Sequence, residues 1–201
     1  MPELQIGNVK LENDLILGPM AGVTDLPFRL LCKEQGAGRL CMEIVSAKGI
    51  MYNNKNTKFL LTIDERERPV SLQLFGSDAD IISEQAKRIE ELPFDILDIN
   101  MGCPVPKIVN NGDGSALMKD PDLAAQVVAA AVKSTENPVT VKIRRGYDSA
   151  GPEQAVDLAK AAEAAGASMI TVHGRFRDQL YSGKSDRTVI RKVKESVGIP
   201  V

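Results

Sequence analysis

Cys103 stands in the run Asn100-Met101-Gly102-Cys103-Pro104, between a glycine and a proline, so its thiol is set in a turn rather than packed along an element. A free thiol has a pKa of about 8.5 and is mostly protonated at neutral pH, so it can give up a proton as well as attack as a thiolate. Lys142 places an ammonium inside the otherwise apolar run Val139-Thr140-Val141-Lys142-Ile143-Arg144. A buried lysine needs a compensating partner, and a cofactor that becomes anionic on reduction is one. A lysine at a strand tip, snorkelling to water, is the other. Gln73 lies within Val70-Ser71-Leu72-Gln73-Leu74-Phe75, where an unpartnered amide costs about 1–3 kcal/mol. Its donor and acceptor suit either the imide edge of a flat heterocycle or neighbouring groups of the protein. His173 closes Met169-Ile170-Thr171-Val172-His173 just before Gly174, and it is either a satisfied polar group or part of a site at a strand end.

These residues require strands to place them. Short β-type runs alternate with helical stretches, the pattern of a parallel sheet with helical crossovers. The strands are expected at Leu15 to Gly18, Leu40 to Val45, Val70 to Phe75, Ile96 to Asn100, Val139 to Ile143 and Met169 to His173, with a seventh beginning at Ile199-Pro200-Val201. Several are nearly continuous apolar runs, as strands covered on both faces are. Ser77-Asp78-Ala79-Asp80 offers a cap for a helix with an apolar stripe at Ile82, Ala86 and Ile89, and Asp120-Pro121 an N-cap followed by proline at the first helical position. A third helix is expected from Pro152 to a C′ glycine at Gly166. The longest interval between strand ends lies between Asn100 and Arg144, which makes Met101 to Lys119 an elaborated loop of the functional kind. Units of this length suit a doubly wound α/β sheet or a (β/α)₈ TIM barrel, and in both the chemistry sits at the carboxyl ends of the strands.

At the first strand end, Gly18-Pro19-Met20-Ala21-Gly22-Val23-Thr24-Asp25 supplies small residues that let a ligand approach the backbone closely, or simply a tight turn, with Thr24 or Asp25 as the following N-cap. Gly112-Asp113-Gly114-Ser115-Ala116-Leu117 begins like a dinucleotide fingerprint but has leucine at the third glycine position and no strand before it, so it belongs to the loop and the turn into the next helix.

The composition excludes several classes. The chain has 201 residues, 43% hydrophobic and 26% charged, with a net charge of -2, so no global charge attracts nucleic acid. Locally, Lys142 to Lys194 holds 11 basic and 6 acidic residues, and Arg144, Arg145, Arg175 and Arg177 are expected on the loops after the strands. That is either a phosphate-contacting face or ordinary solvated charge. Three scattered cysteines make no disulfide framework, and one histidine makes no structural zinc site. Cys32 and Cys41 read as core cysteines. A reducing, cytoplasmic setting is expected, with no metal and no membrane partner, because neither a signal-peptide pattern nor a spanning apolar run is present.

Taken in order, GPMAGVTD, QLFG, INMGCP, VKIR and VHGR resemble the flavin-dependent tRNA-dihydrouridine synthases, and Ile99-Asn100-Met101-Gly102-Cys103-Pro104 is most similar to the bacterial B branch. The resemblance implies an FMN-binding TIM barrel followed by a helical RNA-binding domain, and reduction of the C5–C6 bond of selected tRNA uridines with NADPH. It implies hydride delivery from reduced FMN to C6 and protonation of C5 by Cys103 as general acid. Pro19, Met20 and Ala21 would contact the flavin through backbone, Gln73 and Lys142 its polar edge, and His173 would lie near it. Asn100 and Arg144 would contact flavin or uracil, and the basic loops tRNA phosphates, with the target base extruded from its stack.

Set against that family, residues 1–201 hold about six βα units and the start of strand seven. The turns after strands seven and eight that hold the FMN phosphate, and the RNA-binding domain, are expected to be absent, so this chain made alone is expected to bind FMN weakly or not at all. Two other readings remain: an FMN barrel oxidoreductase acting on a free pyrimidine, like dihydroorotate dehydrogenase, and a non-catalytic fragment.

Overall fold

The computed structural model describes residues 4–201. Two short strands, β1 (Gln5–Ile6) and β2 (Val9–Lys10), pair antiparallel across Gly7-Asn8. Gly7 has φ +57, and a Cβ there would meet Pro138 at 2.7 Å, so conformation and space both demand glycine. Two residues apiece, these strands carry no pattern that marks them in the sequence. Ile6 and Leu11 from this segment pack on Ile96 and Met169 at the starts of two sheet strands, closing the amino end of the sheet's inner side.

The main sheet is parallel and strictly sequential: β3 (Leu40–Ser46), β4 (Val70–Phe75), β5 (Ile96–Met101), β6 (Val139–Gly146) and β7 (Met169–Phe176) lie in chain order. A doubly wound sheet reverses its order at a switch point; the absence of any reversal among the described strands is the arrangement of a (β/α)₈ barrel. The expected first strand, Leu15 to Gly18, is reduced to one parallel bridge, Ile16 to Arg39, with Leu17 N donating to Arg39 O at 2.9 Å. Residues 199–201 form no strand, but Ile170 N donates to Pro200 O at 3.0 Å and sets them alongside β7.

The helices are α1 (Leu26–Glu34), α2 (Ala47–Met51), α3 (Lys55–Leu60), α4 (Ala79–Ile89), α5 (Pro106–Val109), α6 (Pro121–Val132), α7 (Ala155–Ala164) and α8 (Arg187–Ser196). Asp78 caps α4 by accepting from Asp80 N and Ile81 N, and the buried stripe is Ile82, Gln85, Ala86 and Ile89. Asp120 caps α6 by accepting from Leu123 N, with Pro121 at its first position. Helix α7 starts at Ala155 rather than Pro152 and ends in a Schellman turn: Gly166, at φ +100, donates to Glu163 O, and Ala167 N to Ala162 O.

The strands are not uniformly apolar. Leu72, Leu74, Leu97, Ile99, Met101, Val139, Val141, Ile143 and Ile170 pack under the helices in one core. The alternate positions carry Ser71, Gln73, Asp98, Asn100, Thr140, Lys142, Arg144, Thr171 and His173, and the period of two turns these to the inner face. Register stacks them in layers: Gln73, Asp98 and Thr140 are paired in line, Asn100, Lys142 and Thr171 one layer further on, and Arg144 with His173 beyond. Strands β6 and β7 run past their expected ends to Gly146 and Phe176. Arg144, Arg145 and Arg175 therefore lie on strands rather than on the following loops.

Candidate active site

The inner face opens, at the carboxyl ends of β3 to β7, into a cavity of about 460 Å³. Its walls include all nine residues singled out in the sequence: Pro19, Met20, Ala21, Gln73, Asn100, Cys103, Lys142, Arg144 and His173. Cys103 is half-buried. Asn100 Oδ1 accepts from Cys103 N at 2.8 Å and from Gly102 N at 3.1 Å, so the asparagine side chain fixes the turn that carries the thiol. Gly114, at φ +60, packs on the other side, where a Cβ would meet Cys103 O at 3.0 Å and Cys103 Cβ at 3.1 Å. The false fingerprint is thus the loop and 3₁₀ turn behind the thiol, Gly114–Lys119. Burial pushes the Cys103 pKa up, against the Val105 N–H and the Arg144 and Lys142 cations, which pull it down. The thiol is held as the acid form at neutral pH.

At the first strand end, the Thr24 hydroxyl donates to Met20 O and accepts from Met20 N, both at 3.2 Å. Gly22 N, at a φ of +72, donates to Glu43 at 2.7 Å. Asp25, not Thr24, caps α1, accepting from Phe28 N at 3.0 Å. Pro19, Met20 and Ala21 are left as a short backbone wall.

Gln73 lines the cavity but is fully buried, and both ends of its amide find protein partners: Nε2 donates to Asp98 at 2.5 Å, and Oε1 accepts from Asn100 Nδ2 at 3.0 Å. One Nε2 hydrogen and one Oε1 lone pair stay uncommitted. Lys142 Nζ has no hydrogen-bond partner among the described residues. Burial lowers its pKa and the Asp98 carboxylate raises it in return, and the amine faces the cavity with its donors unspent. The residue is not at a strand tip, since β6 runs on to Gly146.

Arg144 is 3% exposed. Its Nε donates to Gly102 O at 2.9 Å, and one Nη1 reaches Phe176 O and Leu180 O, each at 3.0 Å. The guanidinium thereby ties the Cys103 turn to the segment after β7 and keeps only Nη2 free. Arg145 is paired with Glu153 and Asp186, Arg175 donates to Ser182 O and Gly183 O, and Arg177 lies over the Tyr147 ring. Of these arginines only Arg145 is ion-paired; Arg175 and Arg177 are held in place by carbonyls and a ring and keep their charge.

His173 is the one histidine in the sequence. Arg175 Nη1 lies 3.1 Å from its Nε2, and since arginine only donates, Nε2 accepts and the proton sits on Nδ1. Burial first, then Arg144, Lys142 and Arg175, lower its pKa to about 4. A proton NMR titration of this single imidazole is expected to show its inflection near pH 4. An inflection between pH 6 and 7 would mean the ring is solvated. Because the folded pKa lies below the unfolded value of about 6.5, the unfolded chain binds more protons between these limits, and stability falls on acidification from about pH 6.5 to 4.

Sequence reasoning missed Ile44, which a register shift in β3 turns to the cavity, and Leu180 and Tyr181 at its mouth. It also missed Asp98, beneath the wall. Alternation with Asn100, two residues on, was the signal that could have found it. Among the described residues no cluster suits a metal ion, and no helix is long and apolar enough to cross a membrane.

A family model described as dihydrouridine synthase matches residues 16–201. The chain is 43% identical, over its whole length and 60% of the other protein, to tRNA-dihydrouridine synthase B of Pseudomonas aeruginosa. It is 44% identical to a probable tRNA-dihydrouridine synthase of Rickettsia bellii over 98% of this chain and 61% of that one. It therefore spans about 60% of the length of these curated relatives. Among solved structures, 2,3-dimethylmalate lyase, a PEP mutase/isocitrate lyase superfamily member, superposes with a TM-score of 0.57 at 16% identity, over 93% of this chain and 63% of that one, which is a likeness of fold alone.

Proposed function

The chain belongs to the dihydrouridine synthase family, and from that premise we propose that the protein carrying it reduces the C5–C6 bond of uridines in tRNA, with FMN as cofactor and NADPH as reductant. Within that protein, residues 1–201 form part of the FMN-binding barrel; the last barrel strands and a helical RNA-binding domain lie outside them. The observation that carries this reading is the convergence of all nine candidate residues on one cavity. The donor set suits a flavin: an amide edge at Gln73, a cation at Lys142, and the backbone wall Pro19 to Ala21. Lys142 compensates negative charge that grows on the ring system. The neutral His173 gives an Nδ1–H donor without adding a fourth cation to Lys142, Arg144 and Arg175. Gln73, Lys142 and the Pro19 to Ala21 backbone would hold FMN, whose reduced form would supply hydride chemistry at uracil C6. Cys103 delivers the proton to C5, and Asn100 holds its turn in place.

The ion pairing of Arg145 with Glu153 and Asp186 takes one cation out of the local basic excess, and that excess alone does not separate tRNA from a free pyrimidine, so the substrate is decided by assay. Bulk tRNA lacking dihydrouridine, incubated with the complete protein, FMN and NADPH, is expected to gain dihydrouridine by nucleoside mass spectrometry, with dihydroorotate left unoxidised. Dihydroorotate oxidation without tRNA modification would replace this reading with the alternative one.

A further inference from the structure

Asp98 is 1% exposed and lies behind the cavity wall, yet a continuous hydrogen-bonded chain joins it to the Cys103 turn. Its Oδ1 accepts from the Thr140 hydroxyl and its Oδ2 from Gln73 Nε2, both at 2.5 Å. Gln73 Oε1 accepts from Asn100 Nδ2 at 3.0 Å, and Asn100 Oδ1 accepts from Gly102 N and Cys103 N. Strand register makes this possible, since Gln73, Asp98 and Thr140 are direct neighbours on three strands.

A carboxamide donates at one end and accepts at the other, so two in series have a polarity. The two backbone N–H groups at Gly102 and Cys103 only donate and require the oxygen of Asn100. Burial pushes the Asp98 carboxyl pKa up, while Arg39, the Thr140 and Gln73 hydrogen bonds and Lys142 pull it down; both of its oxygens accept here, and Oδ2 requires the nitrogen of Gln73. Only with an acceptor at the buried end do both amides point the one way that satisfies every member. If Gln73 turned over, its nitrogen would face the nitrogen of Asn100, donor against donor, and Asn100 would lose its orientation toward the turn.

We propose that Asp98 is a positioning residue: as the terminal acceptor it sets the polarity of the Gln73 and Asn100 amides and so fixes the turn that presents Cys103. The effect on turnover rests on the dihydrouridine synthase reading; the effect on the thiol does not. The test uses the complete FMN-loaded protein with Asp98→Ala, Asp98→Asn, Asn100→Ala and the Asp98→Ala/Asn100→Ala double variant. The readouts are the iodoacetamide alkylation rate of Cys103, resolved from Cys32 and Cys41 by peptide mass, and dihydrouridine formation.

Asp98→Ala is expected to raise the alkylation rate about tenfold, as the turn loosens and the thiol becomes more accessible. Dihydrouridine formation should drop by about 100-fold, the order of loss that a misplacement of about 1 Å produces. Asp98→Asn, which keeps an oxygen for Gln73 while Thr140 accepts from its nitrogen, should stay within about threefold of the parent. In the Asn100→Ala background, Asp98→Ala should change alkylation no further, because residues acting through one path are not additive. Should the alanine variant fail to fold, Asp98→Ser, too short to reach Gln73, replaces it in the same cycle. Unchanged alkylation in Asp98→Ala, or an effect additive with Asn100→Ala, would overturn the proposal. A parent protein that makes no dihydrouridine counts against the function alone, and the alkylation cycle still decides the role of Asp98.

Discussion

Cys103→Ala is expected to lower dihydrouridine formation by about 10²–10⁴-fold, the contribution of a positioned general acid, while NADPH still bleaches the flavin absorbance at close to the parent rate. The two effects separate because the thiol and the cofactor-facing groups lie on different elements. Cys103 is on the turn after β5, held by Asn100 and backed by Gly114, whereas Lys142 and Gln73 are on strand interiors. The environment of the thiol suits proton donation: burial keeps it protonated, while Arg144, Lys142 and the Val105 N–H stabilise the thiolate that remains once the proton has gone. Cys103→Ser sharpens the test, since the hydroxyl nearly preserves the shape but is a far weaker acid. It should lose dihydrouridine formation almost as completely as alanine. Anaerobic absorbance and nucleoside mass spectrometry on the same samples check both arms. Undiminished dihydrouridine in Cys103→Ala would remove the thiol from the chemistry.

Most of this site is legible in local sequence signals. Proline after an aspartate at 120, the Asp78 cap, the left-handed Gly166, the turn position of Cys103 and the place of Lys142 within its strand are all readable within a few residues of chain, and each lies where expected, whereas His173, expected to close its strand, is followed by three more strand residues. What escaped depends on partners far away in sequence. Arg144 and Arg145 read as loop residues because arginine rarely sits on a buried strand. Only contacts to Phe176 and Leu180, 32 and 36 residues on, together with Glu153 and Asp186, make strand positions tolerable for them. The strand expected at Leu15 to Gly18 has the right residues but a single bridge to Arg39, since ladder pairing depends on a neighbour rather than on composition. Asp98 escaped for the same reason: its acceptors are filled by Gln73 and Thr140, 25 and 42 residues away.

Lys142→Met separates function from stability in opposite directions. The side chain projects to the inner face of β6, in register with Asn100 and Thr171, and methionine fills nearly the same volume without charge. Under the proposed function, removing the cation withdraws the group that stabilises negative charge on the reduced ring system. Bleaching of the flavin absorbance by NADPH is then expected to slow by about 10²–10³-fold, as it does when one preorganised donor is lost from a charge-stabilising site. Thermal stability of the flavin-free protein should move the other way. Burial lowers the Lys142 pKa below its ordinary value, outweighing Asp98, so the unfolded chain holds that proton more tightly than the folded one. The folded state is therefore penalised at neutral pH, and the penalty is relieved only as pH rises toward about 10.5. Replacing the charge by an apolar chain removes the penalty at every pH, and the melting temperature should rise by about 2–4 °C, the shift that about 1 kcal/mol produces in a chain of this size. The gain should shrink as the pH is raised toward 10, because the parent lysine is then losing its charge as well. Asp98 limits the gain, since it loses a countercharge but keeps its bonds to Thr140 and Gln73. A variant that melts lower and still allows rapid flavin bleaching would show Lys142 to be a structural group, and the charge-stabilising role in the cavity would have to be assigned to Arg144 instead.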